Sequence, residues 1–473
     1  MTMERVTTDI CVIGGGSGGL SVAAGAVQMG ARVVLLEGGK MGGDCLNYGC
    51  VPSKALIAAA RAAHGMTSGS RYGVAPVEPR VDYAAAKDHV AGAIAAIEPH
   101  DSQERFEKLG VRVIREYGRF LSRTEVQAGE TVVKARRFVI ATGSSPFVPP
   151  IPGLEDIPYL TNESIFDLRE RPGHLIVVGG GPIGLEMAQA HRRLGSEVTV
   201  LEGLKALGKD DPELAATVLD RLRRENIEIV EDAAVEKVSG GRGSVSVMTK
   251  GGASYSGTHL LMAVGRKVNI EGLDLDRAGV AHDRAVKVDA SLRTTNRRIY
   301  AIGDAAGGLQ FTHVAGYHAG VIIRSMLFGL PARATYLHVP WATYTDPELA
   351  QVGLTEAQAR DRYGDGLEVV RFAFSDNDRA VAEGNTDGLV KVMAVRGRPV
   401  GVGIVGSHAG ELIQVWALAM ANRLKIGAVA AMVAPYPTRG EANKRAAGAY
   451  FAPRLFANPL VKRVVRIVQN WIP

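Results

Sequence analysis

The residues best suited to chemistry lie in one run, Gly43-Asp44-Cys45-Leu46-Asn47-Tyr48-Gly49-Cys50-Val51-Pro52-Ser53-Lys54. It holds two of the three cysteines in a chain of 473 residues. Four residues separate Cys45 from Cys50, and Pro52 suits the first position of a helix. A helix that begins there aims unpaired N–H groups and a positive dipole end at a sulfur, which lowers a thiol pKa and favours the thiolate. Such a pair can cycle between disulfide and dithiol. Two cysteines can equally be unrelated core residues, so the surrounding elements must decide.

The elements around the pair are those that hold dinucleotides. Asp9–Ile13 reads as a buried parallel strand, followed by the loop Gly14-Gly15-Gly16-Ser17-Gly18-Gly19 and a helical pattern from Leu20 to Met29. A second strand, Arg32–Leu36, ends in Glu37. Gly14 permits the turn, Gly16 admits a pyrophosphate, Gly19 lets helix and strand pack closely, and Glu37 stands where a carboxylate accepts from an adenosine ribose. The arrangement recurs about 165 residues later. Strand His174–Val178 leads into the loop Gly179-Gly180-Gly181-Pro182-Ile183-Gly184, helix Leu185–Leu194 and strand Val198–Leu201, which ends in Glu202. Gly179, Gly181 and Gly184 repeat the fingerprint, and two units imply two dinucleotide sites. Glu202 favours a free ribose 2′-hydroxyl and hence NADH, while Lys205 and Lys209 nearby leave NADPH open.

Two nucleotide sites beside a cysteine pair suggest a relay from nicotinamide to flavin to disulfide. Phe138–Ile140 is a strand that ends in the small-residue turn of Thr142, Gly143 and Ser144. Arg298–Ala301 is a strand that runs to Asp304 at the carboxyl edge, the usual ligand crevice of such sheets. Asp304 there can accept from a ribityl hydroxyl or cap the following segment.

Length predicts about three domains. A hydrophobic share of 46% and a charged share of 22% describe a soluble globular protein. Net charge is +6, but Lys and Arg are dispersed and no nucleic-acid-binding motif occurs, so a nucleic-acid partner is not expected. No resident metal site is expected either. No apolar run approaches a spanning length, and Met1 to Thr8 lead straight into an apolar strand without a signal peptide. A cytoplasmic location is expected, and a cytosolic disulfide is more often catalytic than structural.

Gly14–Gly19, Gly43–Lys54, Ala141–Ser144, Gly179–Glu186, Ala263–Arg266, Ala301–Asp304 and Tyr344–Gly353 together carry a family resemblance over nearly the whole chain. The sequence resembles the class I pyridine nucleotide–disulfide oxidoreductases, among them dihydrolipoamide dehydrogenase, glutathione reductase and mercuric reductase. The resemblance implies an α/β fold with two Rossmann-like domains and a C-terminal α+β dimerisation domain. The expected boundaries are 1–150 and 271–340 for the FAD domain, 151–270 for the NAD(P) domain, 341–458 for the dimerisation domain and 459–473 for a tail. It implies FAD and NAD as cofactors and a homodimer. Cys45 is then the interchange thiol that meets substrate, and Cys50 the charge-transfer thiol that faces the flavin. Lys54 would approach the flavin and pair with Glu186. Gly43, Thr312 and His313 fall in segments beside the flavin, Ser17 lies in its phosphate loop, and Gly265 lies by the nicotinamide nucleotide.

Two places depart from the familiar pattern. The reductases carry a catalytic histidine before Pro-Thr, supplied across the dimer, with a glutamate four residues beyond that proline. Here the string is Ala434-Pro435-Tyr436-Pro437-Thr438-Arg439-Gly440-Glu441, so Tyr436 replaces the histidine and Glu441 remains. A phenol of ordinary pKa near about 10 is a poor base at neutral pH, whereas imidazole shuttles protons between thiols. Mercuric reductases also carry tyrosine there, yet they hold a C-terminal cysteine pair that this chain lacks. The second departure is the tail, Pro459–Ile472, whose apolar residues recur at helical spacing beside Lys462, Arg463 and Arg466. It has the pattern of a basic amphipathic helix for an anionic membrane surface, or of one that packs on its own protein.

The expectation is therefore electron flow from NADH through FAD to the Cys45–Cys50 disulfide, then to a small-molecule disulfide, a polysulfide or a soft metal. The alternatives are a diaphorase that reduces quinones or oxygen directly from FAD, and a flavin-bearing subunit that partners a lipoyl or thiol carrier protein.

Overall fold

The computed structural model describes residues 3–472. Three principal sheets, of five among the described residues, organise the chain. The first is built on strand Glu4–Ile13, which pairs in parallel with Val33–Leu36 on one side and Thr131–Ile140 on the other. Arg112–Ile114 extends it beyond Val33–Leu36, and Ile299–Ala301 joins Thr131–Ile140 in parallel. Ile10, Cys11, Val12 and Ile13 are all buried, as a strand covered on both faces requires. Each such side chain contributes roughly 1.5–3 kcal/mol by leaving water, which fixes the strand end that carries the first glycine loop. Cys11 lies wholly inside this core, and burial pushes its thiol pKa up. Two antiparallel strands, Glu125–Ala128 and Gly118–Ser122, complete the sheet.

After Ile140 the chain leaves this sheet, and it returns only at Ile299. Between the two lies a parallel sheet in which His174–Val178 is flanked by Glu197–Leu201 and His259–Met262, with Glu228–Val230 outermost. A three-stranded antiparallel sheet, Val235–Gly241, Ser244–Thr249 and Ser254–Gly257, accompanies it. The third sheet is antiparallel, in the order Pro340–Thr343, Glu348–Gly353, Arg398–Gly406, Leu389–Val395, Leu367–Ala373. Helices of the C-terminal region cover it around the buried Trp416, whose indole N–H donates to Asn443 Oδ1 at 2.8 Å.

Buried charge ties the sheets together. Lys391 in the third sheet reaches Asp211 at 2.9 Å, Glu213 at 2.8 Å and Glu356 at 2.6 Å. Arg193 joins Glu225 at 2.7 Å and Asp346 at 2.9 Å. Removing one partner from such a cluster is costly because the others remain buried.

Some expected boundaries shift. The first strand starts at Glu4 rather than Asp9, and the helix after the first loop spans Ser17–Gln28 rather than Leu20–Met29. The helix after the cysteine pair runs Cys50–Thr67, so Pro52 is its third residue rather than its first. The ring is tolerated there because the first intrahelical bond is Ser53 N–H to Gly49 O; the N–H groups before it have no helical acceptor.

Candidate active site

The cysteine segment packs directly on the first glycine loop. Gly42 and Gly43 take φ of +84° and +60°, and a Cβ on Gly43 would stand 2.8 Å from Gly16 Cα. The short helix Gly43–Asn47 that follows carries the half-buried Cys45. Cys50, at the start of the next helix, is exposed, with its Sγ 3.2 Å from Thr312 Oγ1. Both are free thiols. The neighbouring Cys45 thiol is the main reason the Cys50 pKa is pushed down to about 6; Thr312 and the charge of Lys54 add to it, against burial and the charge of Asp44. Cys45 shifts upward, first through Cys50 and then through burial, although Thr312 and Ser17 pull it back. The pair thus holds one proton near neutral pH, on Cys45, with Cys50 as the thiolate.

Lys54 lies one turn beyond Cys50. Its Nζ is 2.8 Å from Glu186 Oε2, on the buried face of helix Pro182–Arg193. Glu186 Oε1 accepts from the Tyr344 N–H at 2.9 Å, and Lys54 Nζ stands 4.4 Å from the Tyr344 ring centroid. Segments from three regions of the chain therefore fix one ammonium. Sequence reasoning gave Tyr344 no role, although it opens the string Tyr344–Gly353.

The two glycine loops share one geometry. Gly14 and Gly179 adopt φ of +110° and +113°, where a side chain would be strained. A Cβ on Gly19 would fall 1.9 Å from Gly14 O, and one on Gly184 would fall 2.0 Å from Gly179 O. The middle glycines differ. A Cβ on Gly16 would meet nothing nearer than 3.7 Å, and one on Gly181 nothing within 4 Å. That open side, at the N-termini of helices Ser17–Gln28 and Pro182–Arg193, is the cradle a pyrophosphate needs. Glu37 accepts from the Gly15 and Gly39 N–H groups, both at 2.6 Å. Glu202 accepts from Gly180 N–H at 2.7 Å and Leu204 N–H at 2.9 Å. Lys205 is drawn away to Asp232 at 2.8 Å. The residues present fit two dinucleotides.

A polar chain links the strand ends to the cysteine segment. Asp304 Oδ2 accepts from Ser144 Oγ at 2.5 Å, and burial raises the Asp304 pKa. Arg266 donates to Ser144 Oγ and O, both at 2.7 Å, and reaches Asp44 Oδ1 at 3.0 Å. Asn162 Nδ2 also donates to Asp44, at 3.0 Å. Thr142 Oγ1 donates to Asn269 O at 2.6 Å, beside Gly143 at φ +68°. Gly265, next to Arg266, takes φ +137° in open space. Sequence reasoning missed Asp44, Asn162 and Asn269, and it quoted Ser144 and Arg266 without a role.

His313, second in helix Thr312–Phe328, shares a hydrogen bond with Pro340 O at 2.7 Å and stacks on Phe311 at 5.3 Å. Tyr436 is exposed, and its hydroxyl donates to Asp378 Oδ2 at 2.8 Å. That bond and the Asp378 charge raise its pKa further. Glu441 opens helix Glu441–Ala449 and accepts from Arg445 at 3.0 Å. Tyr436 therefore bonds to Asp378, while Glu441 pairs with Arg445.

The profile described as pyridine nucleotide-disulphide oxidoreductase matches residues 8–319, and that family's dimerisation domain matches 339–447. Mercuric reductase of Streptomyces lividans is 34% identical over 94% of this chain and 97% of its own. Dihydrolipoyl dehydrogenase of Bacillus subtilis is 32% identical over 91% and 96%. Among solved structures, LpdA from Mycobacterium tuberculosis superposes with a TM-score of 0.86 at 26% identity, covering 94% of this chain and 99% of LpdA. The HOCl-induced flavoprotein disulfide reductase RclA of Escherichia coli gives 0.83 at 28% identity, over 93% and 99%. With two nucleotide cradles, an adjoining dithiol and matches across most of its length, the chain belongs to the pyridine nucleotide-disulphide oxidoreductases, FAD- and NAD(P)-dependent enzymes that act on sulfur groups.

Proposed function

We propose that Cys45 and Cys50 form the redox disulfide of this enzyme and that its electrons pass to a soft electrophile, a polysulfide or a thiophilic metal ion. Bound FAD supplies two-electron transfer between the nicotinamide and the disulfide. Two electrons and one proton convert the disulfide to a Cys50 thiolate and a Cys45 thiol, the state that the Cys50 shift favours. Lys54, held by Glu186 and Tyr344, places a positive charge beside that thiolate. Cys45 then gives up its proton and attacks a sulfur–sulfur bond of the polysulfide, releasing a shorter polysulfide anion. Cys50 attacks the resulting Cys45 persulfide, expels hydrosulfide and restores the disulfide. A soft metal ion would be captured by the two sulfurs directly.

The observation that carries this reading is Tyr436. Its phenol commits its one O–H to Asp378 and its pKa is raised, so it neither gives nor accepts a proton readily. An acceptor whose leaving group is stable as an anion needs no acid, and low-pKa sulfur leaving groups depart faster. Lipoamide and glutathione disulfide release more basic thiolates. A solved Cu(II) complex of RclA is consistent with metal-directed chemistry in a similar fold. We assign Tyr436 and Glu441 to the dimer face that meets the partner's cysteine pair, in line with the dimerisation match. Glu202 sits where a 2′-phosphate would be repelled, so NADH is the assigned donor. The enzyme is placed in the cytoplasm, with its C-terminal helix as a peripheral contact.

The test is a turnover screen with NADH and NADPH against mercuric ion, polysulfide, lipoamide, glutathione disulfide and a quinone, on native enzyme and Cys45→Ser. Soft acceptors should turn over, and Cys45→Ser should abolish that turnover. Preferred turnover of lipoamide would refute the acceptor assignment. Undiminished turnover in Cys45→Ser would place the chemistry on the flavin alone.

A further inference from the structure

The last helix leaves its apolar face uncovered in the protomer. Asn458 caps it by accepting from Leu460 N–H at 2.9 Å, and Pro459 occupies its first turn, so it is a properly started helix, Pro459–Trp471. None of its residues is buried. Leu460, Val464, Val465, Ile467, Val468 and Trp471 are all exposed, Trp471 at 81%. At about 100° per residue they fall on one arc, and Lys462, Arg463, Arg466, Gln469 and Asn470 fall on the opposite one. Exposed Leu455 and Phe456 precede it.

We propose that this helix is a lipid-binding element that lies in the surface of an anionic membrane. This goes beyond the redox reading and does not depend on it. Three features favour lipid over protein. The charges are of one sign, with three cations and no carboxylate between Pro459 and Ile472, whereas docked surface helices commonly mix signs. Arg463 borders one edge of the apolar arc and Lys462 lies beyond Gln469 at the other, where long side chains reach phosphate oxygens while their stems stay apolar. The match to the family's dimerisation domain ends at residue 447, before this helix begins. Pairing with a second copy of the helix would gather like charges with nothing on either helix to offset them. Among the described residues no helix is long and apolar enough to cross a membrane, so the contact is peripheral.

Each cation near an anionic surface is worth about fivefold in partitioning, so three together give roughly 100-fold. The experiment is vesicle co-sedimentation of the FAD-loaded full chain, with phosphatidylcholine alone and with an added phosphatidylglycerol fraction, at low and high salt. Variants are a chain ending at Asn458 and the triple change Lys462→Gln, Arg463→Gln, Arg466→Gln, with oligomeric state followed by size exclusion. Binding should require phosphatidylglycerol, weaken in high salt, drop roughly 100-fold in the triple variant and vanish in the truncated chain, while both variants stay dimeric. Equal recovery of the full chain in the supernatant with both vesicle types overturns the proposal. So does a truncated chain that becomes monomeric while the full chain ignores anionic vesicles, since the helix would then be a protein interface.

Discussion

Replacing Thr312 with valine keeps the side-chain shape and removes the hydroxyl that bonds Cys50 Sγ and also lowers the Cys45 pKa. The Thr312 hydroxyl stands 3.2 Å from the sulfur and lowers the Cys50 pKa. A hydrogen bond to a charged group is worth about 1.5–3 kcal/mol, or about one to two pKa units. Cys50 is exposed, so water partly replaces the lost donor and the lower end applies. The sign follows from which form the bond favours: the donor stabilises thiolate, so its loss raises the pKa. The assay is anaerobic, on enzyme reduced by two electrons, following the long-wavelength charge-transfer band of thiolate beside oxidised flavin against pH. Its midpoint should lie near the value of about 6 in native enzyme and about one unit higher in Thr312→Val. A midpoint that stays put, or moves down, would refute the assignment of Cys50 as the thiolate that Thr312 supports.

Other expectations concern the cofactor cradles and the tyrosine. Gly181→Ala meets no atom of the protein within 4 Å, so thermal stability should hold while the KM for NADH rises at least tenfold. Gly184→Ala, aimed at Gly179 O from 2.0 Å, should instead lower the melting temperature or prevent soluble expression. Glu202→Ala should shift the NADH-to-NADPH ratio of kcat/KM by about tenfold toward NADPH, measured by steady-state kinetics with either donor. Tyr436→Phe deletes only the bond to Asp378; it should leave polysulfide turnover within about tenfold, whereas Tyr436→His should raise lipoamide turnover.

The parts legible in the sequence are those that local chemistry dictates. A strand that must end in a left-handed turn and open a helix needs glycine at Gly14 and Gly179, so both loops and their acidic strand ends stood out. The dihedral demand and the buried apolar runs also made the α/β class readable. Helix starts were less so. Cys50 and Val51 carry no start signal, which put the expected boundary at Pro52. Contacts between distant loops leave no periodic trace. The chain Asp304–Ser144–Arg266–Asp44 joins residues from four separated segments, each polar for ordinary loop reasons. Tyr344 likewise shows its contact with Lys54 only once two sheets are packed together. The pairing of Lys54 with Glu186 spans 132 residues and was expected from the family resemblance alone. Tyr436 was conspicuous by type, but its partner Asp378 was not, because it lies 58 residues away at the start of helix Asp378–Ala382.

The most direct test of the electron relay is a comparison of native enzyme, Cys45→Ser and Cys50→Ser under anaerobic conditions, with NADH as donor and both polysulfide and a one-electron dye as acceptors. Cys45→Ser should lose polysulfide turnover, keep dye reduction, and show a charge-transfer band without reduction because its Cys50 thiolate has no disulfide partner. Cys50→Ser should lose both the turnover and the band. Polysulfide turnover that survives in either variant would contradict the relay.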